Sequence, residues 1–159
     1  MTEVKKKTFW TPDVAREHMM RYCAAQERSH AEVRTKLIEH GIYGDDLDEI
    51  LTMLIAENFL DEGRFAAAYV SGKYRMNHWG RNKIIQGLKA KFVSKYCIDE
   101  GLKVIDEEEY IDILKDEFSK KLRQLGGKRN RIIDQKLIQF LMQKGFEYEL
   151  ISNILKEPM

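Results

Sequence analysis

Residues 33–51 read VRTKLIEHGIYGDDLDEIL, and the spacing of five apolar side chains within them decides the fold. Val33 and Leu37 share one helical face, Ile42 follows Gly41 at a turn, and Leu47 and Leu51 resume helical spacing beyond it. A glycine after a helical run is a C-terminal stop, and Asp45, Asp46 and Asp48 put negative charge where the next helix begins. The stretch therefore predicts helix, turn, helix. A step of 51 residues brings the pattern back as Ile84, Leu88, Val93, Ile98 and Leu102, and a further step of 53 as Leu137, Leu141, Phe146, Ile151 and Leu155. All fifteen positions are apolar, which predicts three copies of one unit.

Outward from this core, each unit gains a third helix. Thr11, Pro12 and Asp13 form a cap, a first-turn proline and a first-turn acid, opening a helix to about Gln26. Ser29 with Glu32 is a capping box for the second helix, and the third starts near Asp45–Asp48 and runs to about Asn58. Asp61 caps the fourth, Gly80 precedes the fifth and Ser94 opens the sixth. Asp106 with Glu109 opens a long seventh that stops at Gly126 and Gly127. The eighth is expected over roughly Arg129–Gln143, and the ninth from Glu147 or Tyr148 without a capping side chain. No alternating strand pattern competes, so the fold class is all-α: a tail over 1–10, then three-helix repeats over 11–58, 59–105 and 106–159. One such module buries little apolar surface, so neighbours share faces, and an elongated, curved tandem array of helix-turn-helix-like repeats is expected.

The chain has 159 residues, 43% hydrophobic and 33% charged, which leaves no room for a large enzyme barrel. The charged share exceeds the roughly 25% of ordinary globular chains, in keeping with a thin fold that exposes much surface. Residues 1–10 have no apolar core behind their lysines, and no run approaches the ~20 residues of a membrane span, so a cytoplasmic protein with no membrane partner is expected. Cys23 and Cys97 match neither a CxxC nor a zinc spacing and read as reduced thiols packed on helices, and His18, His30, His40 and His78 form no paired ligand motif. Phosphate-loop, nucleophile-elbow and dinucleotide motifs are missing, and Glu107, Glu108 and Glu109 read as charge at a helix N-terminus. No enzyme activity, cofactor or metal is expected.

Net charge is +1, but it is unevenly placed. Residues 1–58 hold 8 basic and 11 acidic side chains, 59–105 hold 9 and 4, and 106–159 hold 10 and 11. No acid lies between Glu62 and Asp99, nor between Glu117 and Asp134. The candidate basic surface for a polyanionic partner is Lys73, Arg75, Arg81, Lys83, Lys89 and Lys91 with Arg64, Arg129 and Arg131. Lys73, Arg75, Arg81 and Lys83 flank one short connection and can converge. Tyr74 and Trp79 are candidate stacking contacts, and Tyr69 reads first as a core residue. Arg64 stands beside Asp61 and can hold a carboxylate within the chain, as can Arg28 at its own capping turn.

The run Asn58-Phe59-Leu60-Asp61-Glu62-Gly63-Arg64-Phe65-Ala66-Ala67-Ala68-Tyr69-Val70, followed by Lys73 and Trp79-Gly80, resembles the central motif of the RecX family of recombinase regulators. Arg28-Ser29 with Lys36-Leu37 and Gly41 is similar to that family's first module, and Lys136-Leu137, Phe140-Leu141 and Gly145-Phe146 to its third. On this resemblance Arg28, Ser29, Asp61, Phe65, Tyr69 and Gly80 are motif residues that shape the modules. Two positions depart from it: Gly63 replaces an acid, and Phe92 stands where a glycine commonly closes the middle helix, which puts that turn in doubt. The resemblance implies a regulator in DNA repair and the SOS response that binds RecA-type recombinase filaments in their groove. It implies restraint of recombination, ATP turnover and co-protease activity, with single- or double-stranded DNA met directly or within the filament. A monomer is expected, since no dimerisation segment is visible. The competing reading is a helix-turn-helix-like DNA-binding or transcription regulator without a recombinase partner.

Overall fold

A computed structural model describes residues 8–158; residues 1–7, most of the expected tail, fall outside it. Among the described residues the fold is nine helices and no strand. They are α1 (Pro12–Ala25), α2 (His30–Glu39), α3 (Gly44–Ala56), α4 (Glu62–Arg75), α5 (Arg81–Ala90), α6 (Lys95–Leu102), α7 (Glu107–Gln124), α8 (Arg131–Gln143) and α9 (Tyr148–Lys156). No described helix is long and apolar enough to cross a membrane.

The helix starts follow the capping chemistry. Thr11, Ser29, Ser94 and Asp106 each accept the backbone N–H three residues on, and Asp61 Oδ1 takes that of Arg64 at 2.8 Å. Helix α8 begins two residues later than expected because Asn130 is its cap, accepting from Ile133 N at 2.9 Å. Helix α9 starts at Tyr148 with no side-chain cap, as its sequence indicates.

The chain divides into two compact units, one formed by residues up to Phe65 with Lys91–Val93, the other by Ala66–Ala90 with Ser94 onward. The division falls inside α4, so the expected second module contributes to both. In the first unit α1 and α2 pack on α3 around Met19, Val33, Leu37, Ile50 and Leu54. Thr8–Trp10 is tied to this unit, with Trp10 N donating to His40 O at 3.0 Å. In the second unit α7, α8 and α9 pack on one another, α5 packs on α6, and Tyr74, Ile84, Leu88, Tyr110, Leu114, Leu137 and Leu141 are buried.

Thirteen of the fifteen repeated apolar positions are buried; Leu102 and Leu155 are half-buried. The turns after α2, α5 and α8 each place the residue before the repeated apolar position in the left-handed region: Gly41 at φ 83°, Phe92 at 59° and Gly145 at 98°. Ile42 N donates to Leu37 O at 2.9 Å and Phe146 N to Leu141 O at 3.1 Å, the closing bond of a Schellman turn. Phe92 therefore holds a left-handed φ at its turn, as Gly41 and Gly145 do at theirs. It adopts the glycine conformation and leaves its ring exposed.

Candidate binding surface

Helix α4 ends in Lys73 and Arg75, α5 opens with Arg81 and Lys83, and the connection between them is held by main-chain bonds. Trp79 N donates to Lys73 O at 3.0 Å, Gly80 N to Lys144 O at 2.7 Å and Asn82 N to Gly145 O at 2.9 Å. Gly80 is buried, and a Cβ there would fall 2.2 Å from the backbone of Gly145 and Phe146, which explains the motif glycine.

The connection presents Trp79, half-buried, edge-on to Tyr69 at 6.5 Å between ring centroids. Lys73 Nζ lies 4.7 Å from the Trp79 centroid and 5.3 Å from that of Tyr69, and Lys83 Nζ lies 4.3 Å from that of Trp79. Two ammonium groups thus share one indole. Among the described residues neither has a carboxylate partner. Gly87 leaves room for the Tyr69 hydroxyl, which would sit 2.0 Å from a Cβ at that position. Tyr69 is thus half-buried beside this cluster rather than a core residue. The arrangement offers cation and ring together, the chemistry that holds a phosphate beside a base.

The other basic candidates divide by partner. Arg75 Nε binds Glu109 Oε1 at 3.0 Å, and this bond raises its pKa. Arg81 binds Glu147 at 2.9 Å and also Glu107, with its guanidinium 4.1 Å over the Tyr110 ring. Burial draws the Arg81 pKa down, but the bonds from Glu107 and Glu147 outweigh it, and the net shift is upward. Arg64 Nε binds Glu27 at 3.0 Å and its other nitrogens bind Asn58, so its carboxylate partner is Glu27 and not the neighbouring Asp61. Lys91 pairs with Glu32 at 2.9 Å, and Arg129 binds Asp134 and the Leu155 carbonyl. Lys89 and Arg131 are exposed with no ion pair among the described residues.

Tyr74 is fully buried, its hydroxyl 3.4 Å from Glu109, so it is a core residue and cannot stack on a base. Phe65 is buried, Ser29 caps α2 with no exposed surface, and Asp61 caps α4. Arg28 holds no carboxylate among the described residues: its Nε donates to Tyr22 O at 3.0 Å and its guanidinium lies 3.7 Å over the Tyr22 ring.

Sequence reasoning missed three groups beneath this surface. Buried Glu117 receives His78 Nδ1 at 2.6 Å and Lys144 Nζ at 3.1 Å, which ties the Trp79 connection to α7 and the end of α8. Burial alone would raise the Glu117 pKa, but those two partners hold it below the ordinary value. Asp116 completes a trio with His78 and Glu117 whose ligand atoms lie within 4.8 Å of one another, yet Lys144 already occupies Glu117 Oε2, which suits a salt bridge better than a cation. Tyr110 is buried, accepts from Arg81 N at 3.0 Å and donates to Glu147; burial and then that bond push its pKa far up. The only signal was Tyr110 at the helical face position of α7, with nothing local to name its partners.

Sequence models of RecX match three consecutive stretches: its first three-helix domain at 15–54, its second at 61–102 and its third at 107–155. The regulatory protein RecX of Lactococcus lactis subsp. cremoris (strain SK11) is 34% identical over 134 residues, which are 82% of this chain and 50% of the relative. That of Enterococcus faecalis (strain ATCC 700802 / V583) is 30% identical over 154 residues, 97% of this chain and 57% of the relative. The chain spans about half the length of the first curated relatives it matches. A crystal structure of RecX from Lactobacillus salivarius superposes with a TM-score of 0.81 at 22% identity, over 91% of this chain and 94% of that one. A second crystal structure of a regulatory protein RecX gives 0.82 at 26% identity, over 92% of this chain and 72% of the other.

Proposed function

We propose a function from one premise: the chain belongs to the RecX family. It binds RecA-type recombinase filaments assembled on DNA, lies in their groove, and restrains recombination, ATP turnover and co-protease activity in DNA repair. The observation that carries this reading is the match of all three family domains, in order, across residues 15–155. The Lys73–Trp79–Lys83 cluster supports it, because it combines two ammonium groups that hold no carboxylate among the described residues with a half-buried ring. Lys89 and Arg131 are the other candidate cations left for a partner, whereas Arg64, Arg75, Arg81, Lys91 and Arg129 already hold carboxylates.

This division sets the salt dependence. Each phosphate neutralised adds about 0.7–0.9 to the slope of log affinity against log salt, so four such cations give a slope of about −2.8 to −3.6 and not the steeper value that nine would give. The test adds the purified protein to recombinase on single-stranded DNA and follows ATP hydrolysis over a salt series. Equimolar protein is expected to slow hydrolysis, and the K73E/K83E variant to lose that effect while keeping its circular dichroism. No slowing by the parent protein at any salt would refute the reading.

A further inference from the structure

The first unit contains a cleft of about 860 Å³, within the usual range for a ligand site, on the side of α1 that faces Thr8–Thr11 and the end of α2. Its basic lining groups are Arg21, Arg28, Lys36, His18 and His40, and among the described residues no carboxylate lines it. That is unexpected for residues 1–58, which carry 11 acids and 8 bases. Lys36 has no carboxylate partner among the described residues, and its ammonium lies 5.4 Å from the Tyr22 ring, over which Arg28 also packs. Arg21 meets Glu17 only at 3.8 Å, beyond hydrogen-bond reach. Three cations therefore face one cavity with most of their donors unspent.

The aromatic part of the wall is built. Trp10 stacks on His18 at 4.5 Å and on His40 at 3.6 Å between centroids, both within 5° of parallel. His40 Nδ1 lies 2.5 Å from Thr8 O. This stack fixes the segment that bears Phe9. One side of the Phe9 ring lies against Gly41, where a Cβ would come within 2.3 Å of it, and the ring is 81% exposed. The cleft thus has a free ring face at its edge and, within it, cations that hold no carboxylate hydrogen bond among the described residues.

We propose that this cleft binds a nucleotide unit, with its phosphate on Arg21, Arg28 and Lys36 and its base against Phe9. The chemistry is shared by a free nucleotide and by one residue of a single strand. The inference does not lean on the recombinase reading, because the test contains no recombinase, and either can fail alone.

The chain has two tryptophans, so in a W79F background Trp10 is the sole reporter. Thymidine monophosphate and an eight-residue oligothymidylate are each titrated against the emission of Trp10. A saturable change with both identifies a free nucleotide as sufficient; a change with the oligonucleotide alone identifies the strand. R21E/K36E, with unchanged circular dichroism, is expected to weaken binding at least tenfold and, for the strand, to lower the salt slope by about 1.4. An unchanged emission with both ligands, or parental affinity in R21E/K36E, overturns the proposal. A second measurement uses the unmutated chain: ultraviolet cross-linking to 5-iodouracil forms of both ligands should label the peptide that holds Phe9 and Trp10. Cross-links confined to the peptide that holds Trp79 would overturn the cleft while supporting the surface proposed above.

Discussion

Gly80 and Gly145 meet backbone to backbone: Gly80 N–H and Asn82 N–H donate to the carbonyls of Lys144 and Gly145, and neither glycine has room for a Cβ. A Cβ on Gly145 would lie 2.5 Å from Lys83 Cβ and one on Gly80 2.2 Å from the Gly145 carbonyl carbon. Gly80→Ala is expected to destabilise the fold by about 3 kcal/mol or more, read as a lower urea midpoint, because main chain cannot swing aside as a side chain would. An unchanged midpoint would mean that the joint relaxes freely.

Glu117 makes stability depend on pH. Its folded pKa lies below its ordinary value of about 4.3, so its contribution is fully present above that value and is lost as pH falls through the folded one. Urea midpoints of the parent chain are expected to fall between pH 5 and 3, and those of E117Q to start lower but fall less. Parallel profiles would show that Glu117 does not govern the acid limb.

Arg81 and Lys89 separate structural from available charge. Arg81→Ala leaves Glu147 and Glu107 without their cation and uncovers the Tyr110 ring, at an expected cost of about 1–3 kcal/mol. Lys89→Ala, at an exposed site with no ion pair among the described residues, should stay within about 0.5 kcal/mol of the parent. Thermal unfolding of both variants checks the ordering.

Phe92 holds φ 59° with its side chain 85% exposed, so its left-handed backbone is not repaid by packing. Phe92→Gly is expected to stabilise the chain by about 0.5–1 kcal/mol, the strain relieved being partly offset by the freer unfolded glycine. A loss of stability would show that the exposed ring makes contacts that the strain offsets.

The fold was legible where its causes are local. Thr11, Ser29, Asp61, Ser94 and Asp106 cap the helices their side chains announce, and the repeated apolar spacing locates thirteen buried residues. Asn130 was overlooked because Arg129 before it extends the same polar run, and the true start came two residues later. The surface was legible only in part. Basic runs are visible in sequence, but Glu107, Glu109 and Glu147 reach Arg81 and Arg75 from 26 to 66 positions away, and no local pattern marks such pairing. Tyr74 follows the same logic: a tyrosine between Lys73 and Arg75 reads as exposed until the packing around α4 is known.

Trp79 sits on a connection closed at both ends by main-chain bonds and braced beneath by the His78–Glu117–Lys144 contact. A surface already set in this way surrenders little disorder when something lands on it, so the entropic toll of association falls mainly on the incoming molecule. Loosening the brace without touching Trp79, Lys73 or Lys83 would weaken association with every contacting atom still present. On the proposed reading, the grip of this surface is a property of what lies under it as much as of what it displays.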